Sequence, residues 1–187
     1  HTYKNVKSVK IDYAQEEKKL VENLIKAGHD NILYINHDDN NILNENMLRG
    51  YKEAVESCGK KAYVYDTKGI KSDDGYNIGE DVIKLVKEKN ITAVSCVNDE
   101  VAIGFINYCV DNNISVPDDL SVTGFGDSNI ASIYRPKVST VAIPYYDIGA
   151  ISIRALIKRI KEEEDILEED WIIDGQIIKR ESTKAIN

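Results

Sequence analysis

The sequence predicts an α/β fold, a mostly parallel sheet flanked by crossover helices. Apolar, β-rich runs of strand length alternate with longer stretches of helical period, the mark of that architecture. The helical stretches stop at Gly or Asn, residues that tolerate a left-handed C-terminal position. A chain of 187 residues makes one globular domain or two small ones, with enough length to bury about 70% of its unfolded surface.

Strands are predicted over 6–12, 31–36, 62–66, 93–97, 121–124 and 139–143. The helix after the first strand carries Leu20, Val21, Leu24 and Ile25 on one face and ends at Gly28. The next has Leu48, Tyr51, Ala54, Val55 and Cys58 at helical spacing and ends at Gly59. A third, with Ile78, Val82, Leu85 and Val86, runs to Asn90, and a fourth, with Ala102, Phe105, Ile106 and Cys109, ends in Asp111, Asn112 and Asn113. Beyond Gly124 the alternation changes. Residues 125–137 read as a loop holding Pro136, a short strand follows, and Pro144 opens a helix over 146–163. That helix is apolar over a wide arc (Ile148, Ile151, Ile153, Leu156, Ile157, Ile160), so it is expected to be buried against something. The acidic run EEEDILEED, 162–170, reads as a solvated turn, and 171–182 as two terminal strands about Asp174-Gly175, a strong hairpin signal.

Charge and composition exclude several functions. With 24 Lys+Arg against 32 Asp+Glu, a net charge of −8 and no basic stripe, the chain lacks the phosphate neutralisation that DNA affinity requires. No apolar run approaches the roughly 18 residues of a membrane span. The opening HTYKNVKSVKID has neither an apolar h-region nor a cleavage site, so a soluble, unexported chain is expected. Cys58, Cys96 and Cys109 are odd in number and form no CxxC; they read as small core residues in a reducing, cytoplasmic compartment. His1, His29 and His37 stand in no metal-ligand or triad spacing, so neither a metal nor a cofactor is expected. Gly124-Phe125-Gly126-Asp127-Ser128-Asn129 follows a strand but lacks the third glycine of a dinucleotide fingerprint. Asp38-Asp39-Asn40-Asn41 opens like a calcium loop but lacks its glycine and closing glutamate, and reads better as a turn capping the next helix. No acid–base or nucleophile pair emerges, so no enzyme is expected.

In an open parallel sheet ligands bind beyond the carboxyl ends of the strands. Those ends are unusually polar here: Asn36-His37-Asp38-Asp39-Asn40-Asn41, Asp66-Thr67, Asn98-Asp99-Glu100 and Phe125-Gly126-Asp127-Ser128. Amides, carboxylates and hydroxyls suit a neutral polyhydroxylated ligand such as a sugar, with Asn40 and Asn41 among the candidates. The same residues serve equally well as ordinary loop polarity, and Asn98 or Asp99 as a cap for the helix it precedes.

The motifs VNDEVAIGF, VPDDLSVTGFGDS, RPKVSTVAIPYYDIG and IIKREST, in that order, together with SVKIDY, NLIKAGHDNILYI and LRGYKEAV, closely resemble the effector-binding core of LacI/GalR-type transcriptional repressors. The same core is fused to a winged helix in arabinose-repressor-like regulators of the GntR class. The resemblance runs from about Val9 to Thr183. It implies a Rossmann-like, periplasmic-binding-protein type I fold entered late. Residues 1–13 would be the last strand of the N-terminal subdomain, 14–143 the C-terminal subdomain, 144–163 a helix returning to the first subdomain, and 164–187 the C-terminal strands. The DNA-binding headpiece and most of the first subdomain would lie outside this chain, leaving the 148–160 helix without its usual partners.

Carried over by resemblance, Asn98 matches the position that hydrogen-bonds effector hydroxyls, and Asp127 the second acid of the Gly-aromatic-Asp-Asp motif. The first acid is Gly126 here, the family arginine is Met47 with Arg49 nearby, and the stacking aromatic is Ile70. These departures remove a carboxylate, a guanidinium and a ring that strengthen sugar binding. Arg49 and Asp127 are the neighbours that could substitute. The resemblance further implies a homodimer packed through 101–112, including Ala102 and Ile106, with Ile133, Tyr134 and Arg135. A small polar effector, no membrane, and DNA contacted only through the absent headpiece complete the expectation. A sugar-binding protein of a transport system shares the fold and is the alternative.

Overall fold

The computed structural model describes residues 8–161 and 170–186. In chain order the elements are β1 (Val9–Lys10), α1 (Tyr13–Lys26), β2 (Ile32–His37), α2 (Ile42–Ser57), β3 (Tyr63–Thr67), α3 (Ser72–Asn77), α4 (Gly79–Lys89) and β4 (Ala93–Cys96). They continue with α5 (Asp99–Asp111), β5 (Ser121–Thr123), α6 (Asn129–Ile133), β6 (Thr140–Ala142), α7 (Tyr145–Ile160), β7 (Trp171–Ile172) and β8 (Gln176–Ile178). The chain divides into two compact units, His1–Asp12 with Ile143–Gln176 and Tyr13–Ala142 with Ile177–Asn187.

The larger unit is built on a parallel sheet in the order β3-β2-β4-β5, with Leu33 paired to Tyr63, Ile32 to Ala93 and Ala93 to Ser121. All of β4 and the first five residues of β2 are buried, because a parallel strand covered on both faces reads as a continuous apolar run. The pleat sends neighbouring side chains to opposite faces. Leu33 and Ile35 join Val94, Val82, Val101, Phe105 and Ile106 in one core, while Tyr34 stacks on Tyr51 of α2 at 5.2 Å between centroids. Each such large apolar side chain stabilises the fold by about 1.5–3 kcal/mol when fully buried.

The predicted third helix is two helices, α3 and α4, broken at Ile78. The reason lies in glycines chosen for close approach. A Cβ on Gly75 would lie 2.2 Å from the Val101 carbonyl oxygen, one on Gly104 1.8 Å from that of Ser72, and one on Gly79 2.0 Å from the Tyr108 ring. The packing of α3 and of the start of α4 on α5 therefore admits no side chain at these points, and Gly75 and Gly79 together weaken a continuous helix.

The segment after β8 returns to the far edge of the sheet. Fully buried Ser182 donates its hydroxyl to the Val122 carbonyl at 2.6 Å, accepts the Ser139 N–H at 2.9 Å, and accepts the Val122 N–H on its own carbonyl at 2.8 Å. Buried His29 donates from Nε2 to the Lys184 carbonyl at 3.0 Å, which leaves Nδ1 to accept from the Thr92 hydroxyl at 2.9 Å. Burial lowers its pKa, so the ring is held neutral.

Beneath the sheet, α1 buries a carboxyl group. Glu17 Oε1 accepts from the Ser95 hydroxyl at 2.7 Å, and Ser95 accepts from Thr123 at 3.1 Å. Glu17 Oε2 and the Tyr34 hydroxyl are buried without hydrogen-bond partners. Burial pushes the Glu17 carboxyl up to about 8, against the lowering effect of Ser95, so it is protonated at neutral pH.

Several sequence expectations change. The loop over 125–137 contains α6. The terminal strands do not form a hairpin about Asp174-Gly175: β7 pairs in parallel with β1, and β8 pairs with β6. Each has a better-placed partner elsewhere, and that overrides the local turn signal. Helix α7 is not buried in this chain. Tyr146 is 85% exposed, and Ile153, Leu156 and Ile160 are also open to solvent. Cys58 is exposed at the end of α2 rather than in the core, whereas Cys96 and Cys109 are buried. Most of the acidic run, 162–169, lies outside the described residues.

Candidate functional site

The polar strand ends of the larger unit meet the chemistry expected of them, but they spend it in different ways. At the end of β2, Asn36 is only 5% exposed. Its Nδ2 donates to Asp66 Oδ1 at 2.7 Å, while its Oδ1 has no partner. His37 Nδ1 donates to the Thr67 carbonyl at 3.1 Å, which pins the ring across the two strand ends. Asp39 Oδ1 accepts from the Asn41 N–H at 3.0 Å and from Asn44 Nδ2 at 2.9 Å. Desolvation works to raise the Asp39 pKa, but these hydrogen bonds and the nearby His37 ring hold it below the ordinary carboxylate value. Asn40 sits at φ +56, a left-handed position that Asn accommodates better than most residues. Asn41 caps α2, its Oδ1 accepting the Leu43 N–H at 3.0 Å. This confirms the capping turn read from Asp38-Asp39-Asn40-Asn41. Around it lies a cleft of about 340 Å³ walled by the 36–41 loop, the first turns of α2, and β3.

At the end of β4, Asn98 caps α5 by accepting the Val101 N–H at 2.8 Å, and its Nδ2 donates to the Ile70 carbonyl at 2.9 Å. Ile70 itself is exposed, and only its backbone meets Asn98. Asp99 is buried and ties three segments together. Its Oδ2 accepts the Ser128 N–H at 2.6 Å and its Oδ1 the Thr140 hydroxyl at 2.6 Å, while Thr140 accepts the Asp127 N–H at 3.3 Å. Above it Gly126 takes φ +117, a conformation L side chains rarely adopt. The family carboxylate is therefore absent from a backbone position shaped for glycine. Asp127 Oδ1 accepts Arg180 Nη2 at 2.6 Å, and Arg180 Nη1 donates to the Val138 carbonyl at 2.9 Å.

Met47 is 3% exposed and belongs to the core. Arg49 stands on the outer surface of α2, 3.7 Å from Glu53. The structure thus brings Asn36, Asn40 and Asn41 to one cleft and Asn98 to Ile70. It holds Gly126 and Asp127 over Asp99, and it leaves Arg49 apart from all of these. Arg180 is the residue that sequence reasoning missed. It lies within the quoted IIKREST, but nothing in local spacing shows it reaching a partner 53 residues away. Among the described residues, no three His, Cys, Asp or Glu side chains form a group able to hold a metal ion, and no helix is long and apolar enough to cross a membrane.

The family model of the periplasmic binding protein-like domain matches residues 21–183. The HTH-type transcriptional regulator RegA of Clostridium saccharobutylicum is 34% identical over 180 residues, covering 94% of this chain and 53% of that protein. This chain belongs to the periplasmic-binding-protein-like effector domains of LacI-type transcriptional regulators. Catabolite control protein A of Priestia megaterium is 35% identical to the effector domain over 161 residues, covering 84% of this chain and 48% of that protein. The effector domain spans about half the length of these curated relatives. The fold of a LacI family transcriptional regulator from Enterococcus faecium, solved with bound ribose, matches all of this chain and 69% of that one at a TM-score of 0.85 and 22% identity. The relatives named here are regulators rather than enzymes, in keeping with the absence of a catalytic pair from the sequence reading.

The dimer surface expected of the effector domain needs correction. Ala102 and Ile106 are fully buried in the core between α5 and the sheet. Helix α5 is apolar nearly all round, so its periodicity could not separate a core face from an outer one. Ile133 at the end of α6 is 72% exposed. Beside it the Tyr134 hydroxyl donates to Asn107, and Arg135 Nη1 caps the Ile133 and Tyr134 carbonyls at 3.1 and 2.9 Å.

Proposed function

We propose that this domain is the effector-sensing and dimerising portion of a bacterial LacI/GalR-like repressor, in which a small polar ligand controls operator binding by a headpiece of the longer protein. The observation that carries the reading is the convergence of polar side chains at the carboxyl ends of β2, β3, β4 and β5 in a chain of this family. In this reading Asn98 and Asp127, with Asn40 and Asn41, face the effector, and Ile133, Tyr134 and Arg135 meet a second copy. Gly126, Met47 and Ile70 occupy family ligand positions without their side-chain chemistry, and Arg49 lies outside the crevice. The ligand shifts a two-state equilibrium only by its difference in affinity for the two states. The setting is the cytoplasm, where a repressor meets its operator. A sugar-binding transport protein shares the fold, but the relatives are named as regulators.

Thermal-shift screening of the whole regulator and of this chain against ribose, other pentoses, hexoses, sugar phosphates and nucleobases tests the reading, since a native-state ligand raises Tm by mass action. A shift in either protein names the effector class. Silence in both removes the small-molecule reading in favour of a protein co-regulator. Sedimentation of the whole regulator carrying Ile133→Asp tests the dimer, and an unchanged dimer removes Ile133 from the interface.

A further inference from the structure

We propose that the turn Phe125-Gly126-Asp127 is a coupling device, one three-residue clamp that ties together all three places where the chain passes between its two compact units. The proposal rests on the effector-sensor reading for what works the clamp, and it names how a ligand at the strand ends is felt beyond them.

The chain passes between the units at three points, after Asp12, after Ala142 and after Gln176. Within the larger unit, each point is met by a different residue of the turn. The Phe125 ring, 5% exposed, stacks on Tyr13, the first residue past the first crossing, at 6.0 Å between centroids and 28° between planes. Gly126 donates its N–H to the Val141 carbonyl at 2.9 Å and forms a parallel bridge with Ala142, the last residue before the second crossing. Asp127 Oδ1 accepts from Nη2 of Arg180 at 2.6 Å, and Arg180 is the fourth residue past the third crossing.

These grips interlock. Arg180 also donates from Nη1 to the Val138 carbonyl and from its backbone N–H to the Ser139 hydroxyl, each at 2.9 Å, while the Thr140 hydroxyl accepts the Asp127 N–H at 3.3 Å. The planar fork of an arginine can serve the carboxylate and the carbonyl together. With side chains only 15% and 28% exposed, the Arg180–Asp127 pair is also partly shielded from screening by salt. The turn does not hold its shape unaided. Gly126 at φ +117 and Asp127 at φ +51 are consecutive positive-φ positions, which persist where the surroundings over-determine them. The three grips are those surroundings, so releasing one lets the turn relax and weakens the other two. The turn lies just past β5, at the sheet end where ligands of such folds sit. A ligand group that draws on the Asp127 carboxylate therefore acts on all three crossings at once, as a hinge made of a few residues at element ends requires.

Hydrogen exchange of the whole regulator, read at the Gly126 amide with residues 33–35 of β2 as reference, decides the matter without any ligand. Tyr13→Leu removes the first grip and Arg180→Gln the third, and neither residue bonds the Gly126 N–H. Each variant should speed Gly126 exchange by at least about tenfold relative to β2. The double variant should add less than about threefold to the faster single one, because the turn is already released. Equal acceleration at β2 and Gly126 means that the whole unit has loosened; the milder Tyr13→Met and Asp127→Asn then replace the first two, Asn being at ease in a left-handed position. Gly126 exchange at the parent rate in either single variant, or effects that simply multiply in the double, overturns the proposal. That failure leaves the effector reading standing, since no ligand enters the measurement, whereas silence in the thermal screen removes the effector and leaves the clamp to be judged on these exchange rates.

Discussion

Asp99 and Thr140 meet carboxylate to hydroxyl at 2.6 Å in the buried floor beneath the Gly126 loop. The other oxygen of Asp99 takes the Ser128 N–H at the same distance, so one side chain joins the start of α5, the loop after β5 and strand β6. Asp99→Asn keeps the shape but places an NH₂ group against one of the two donors. It should destabilise the domain by about 1–3 kcal/mol, read from urea unfolding, with the Ser128 amide exchanging faster than amides in β4. A variant as stable as the parent would show that these bonds are dispensable.

Glu17 makes stability depend on pH in a defined direction. Its carboxyl lies near 4.5 when unfolded and at about 8 in the fold, so between those values the folded state keeps a proton that the unfolded state has lost. Its contribution is complete below pH 4.5 and is lost as pH rises toward 8. Glu17→Gln should flatten this fall, leaving stability nearly unchanged at the acid end and higher at the alkaline end. The difference between the urea midpoints of the two proteins isolates Glu17 from His29. A constant difference across pH would contradict the assignment.

Gly126→Asp restores the carboxylate that the family resemblance places there. At φ +117 an L residue is strained by about 1–3 kcal/mol, and the new side chain would start 3.9 Å from Asp99 Oδ2. The variant should melt below the parent. Equal stability would mean that the loop adopts an ordinary backbone conformation at no cost.

Asn98→Ala removes a helix cap as well as a candidate ligand group. Loss of the bond to the Val101 N–H should cost about 1 kcal/mol. Asn98→Asp keeps the capping acceptor but loses the donor to Ile70, so it should recover most of that stability. If Asp is as damaging as Ala, the Ile70 contact, not the cap, is what Asn98 supplies.

The parallel sheet was legible because strands buried on both faces leave unbroken apolar runs, as in Ile32 to Ile35. Helix ends at Gly28 and Asn90 were legible because the left-handed backbone selects those residues. What escaped was decided by distant partners. The break at Ile78 shows only once the Val101 carbonyl is set against Gly75 and the Tyr108 ring against Gly79. Trp171 and Gln176 flank a sound turn, yet each strand pairs elsewhere. At the site, the polarity of the strand ends was visible, but the sequence could not say that Asn98 and Asp127 are already bonded while the side-chain oxygen of Asn36 is not. An acceptor lacking a donor is a property of three-dimensional surroundings and leaves no mark in residue order.

The return of the chain to Val122 through Ser182 has a consequence for biosynthesis. The sheet edge at β5 and the imidazole of His29 are completed by residues 182 and 184, which leave the ribosome some sixty residues or more after Val122. Until then that edge is only partly covered, by Ser139 against Thr123 and Gly124, and the Val122 backbone stays open, the kind of surface that recruits foreign strands. The nascent domain is therefore most vulnerable to aggregation while 123–181 are being made, and a stall or premature stop within that interval should yield a product captured by chaperones rather than a smaller folded one.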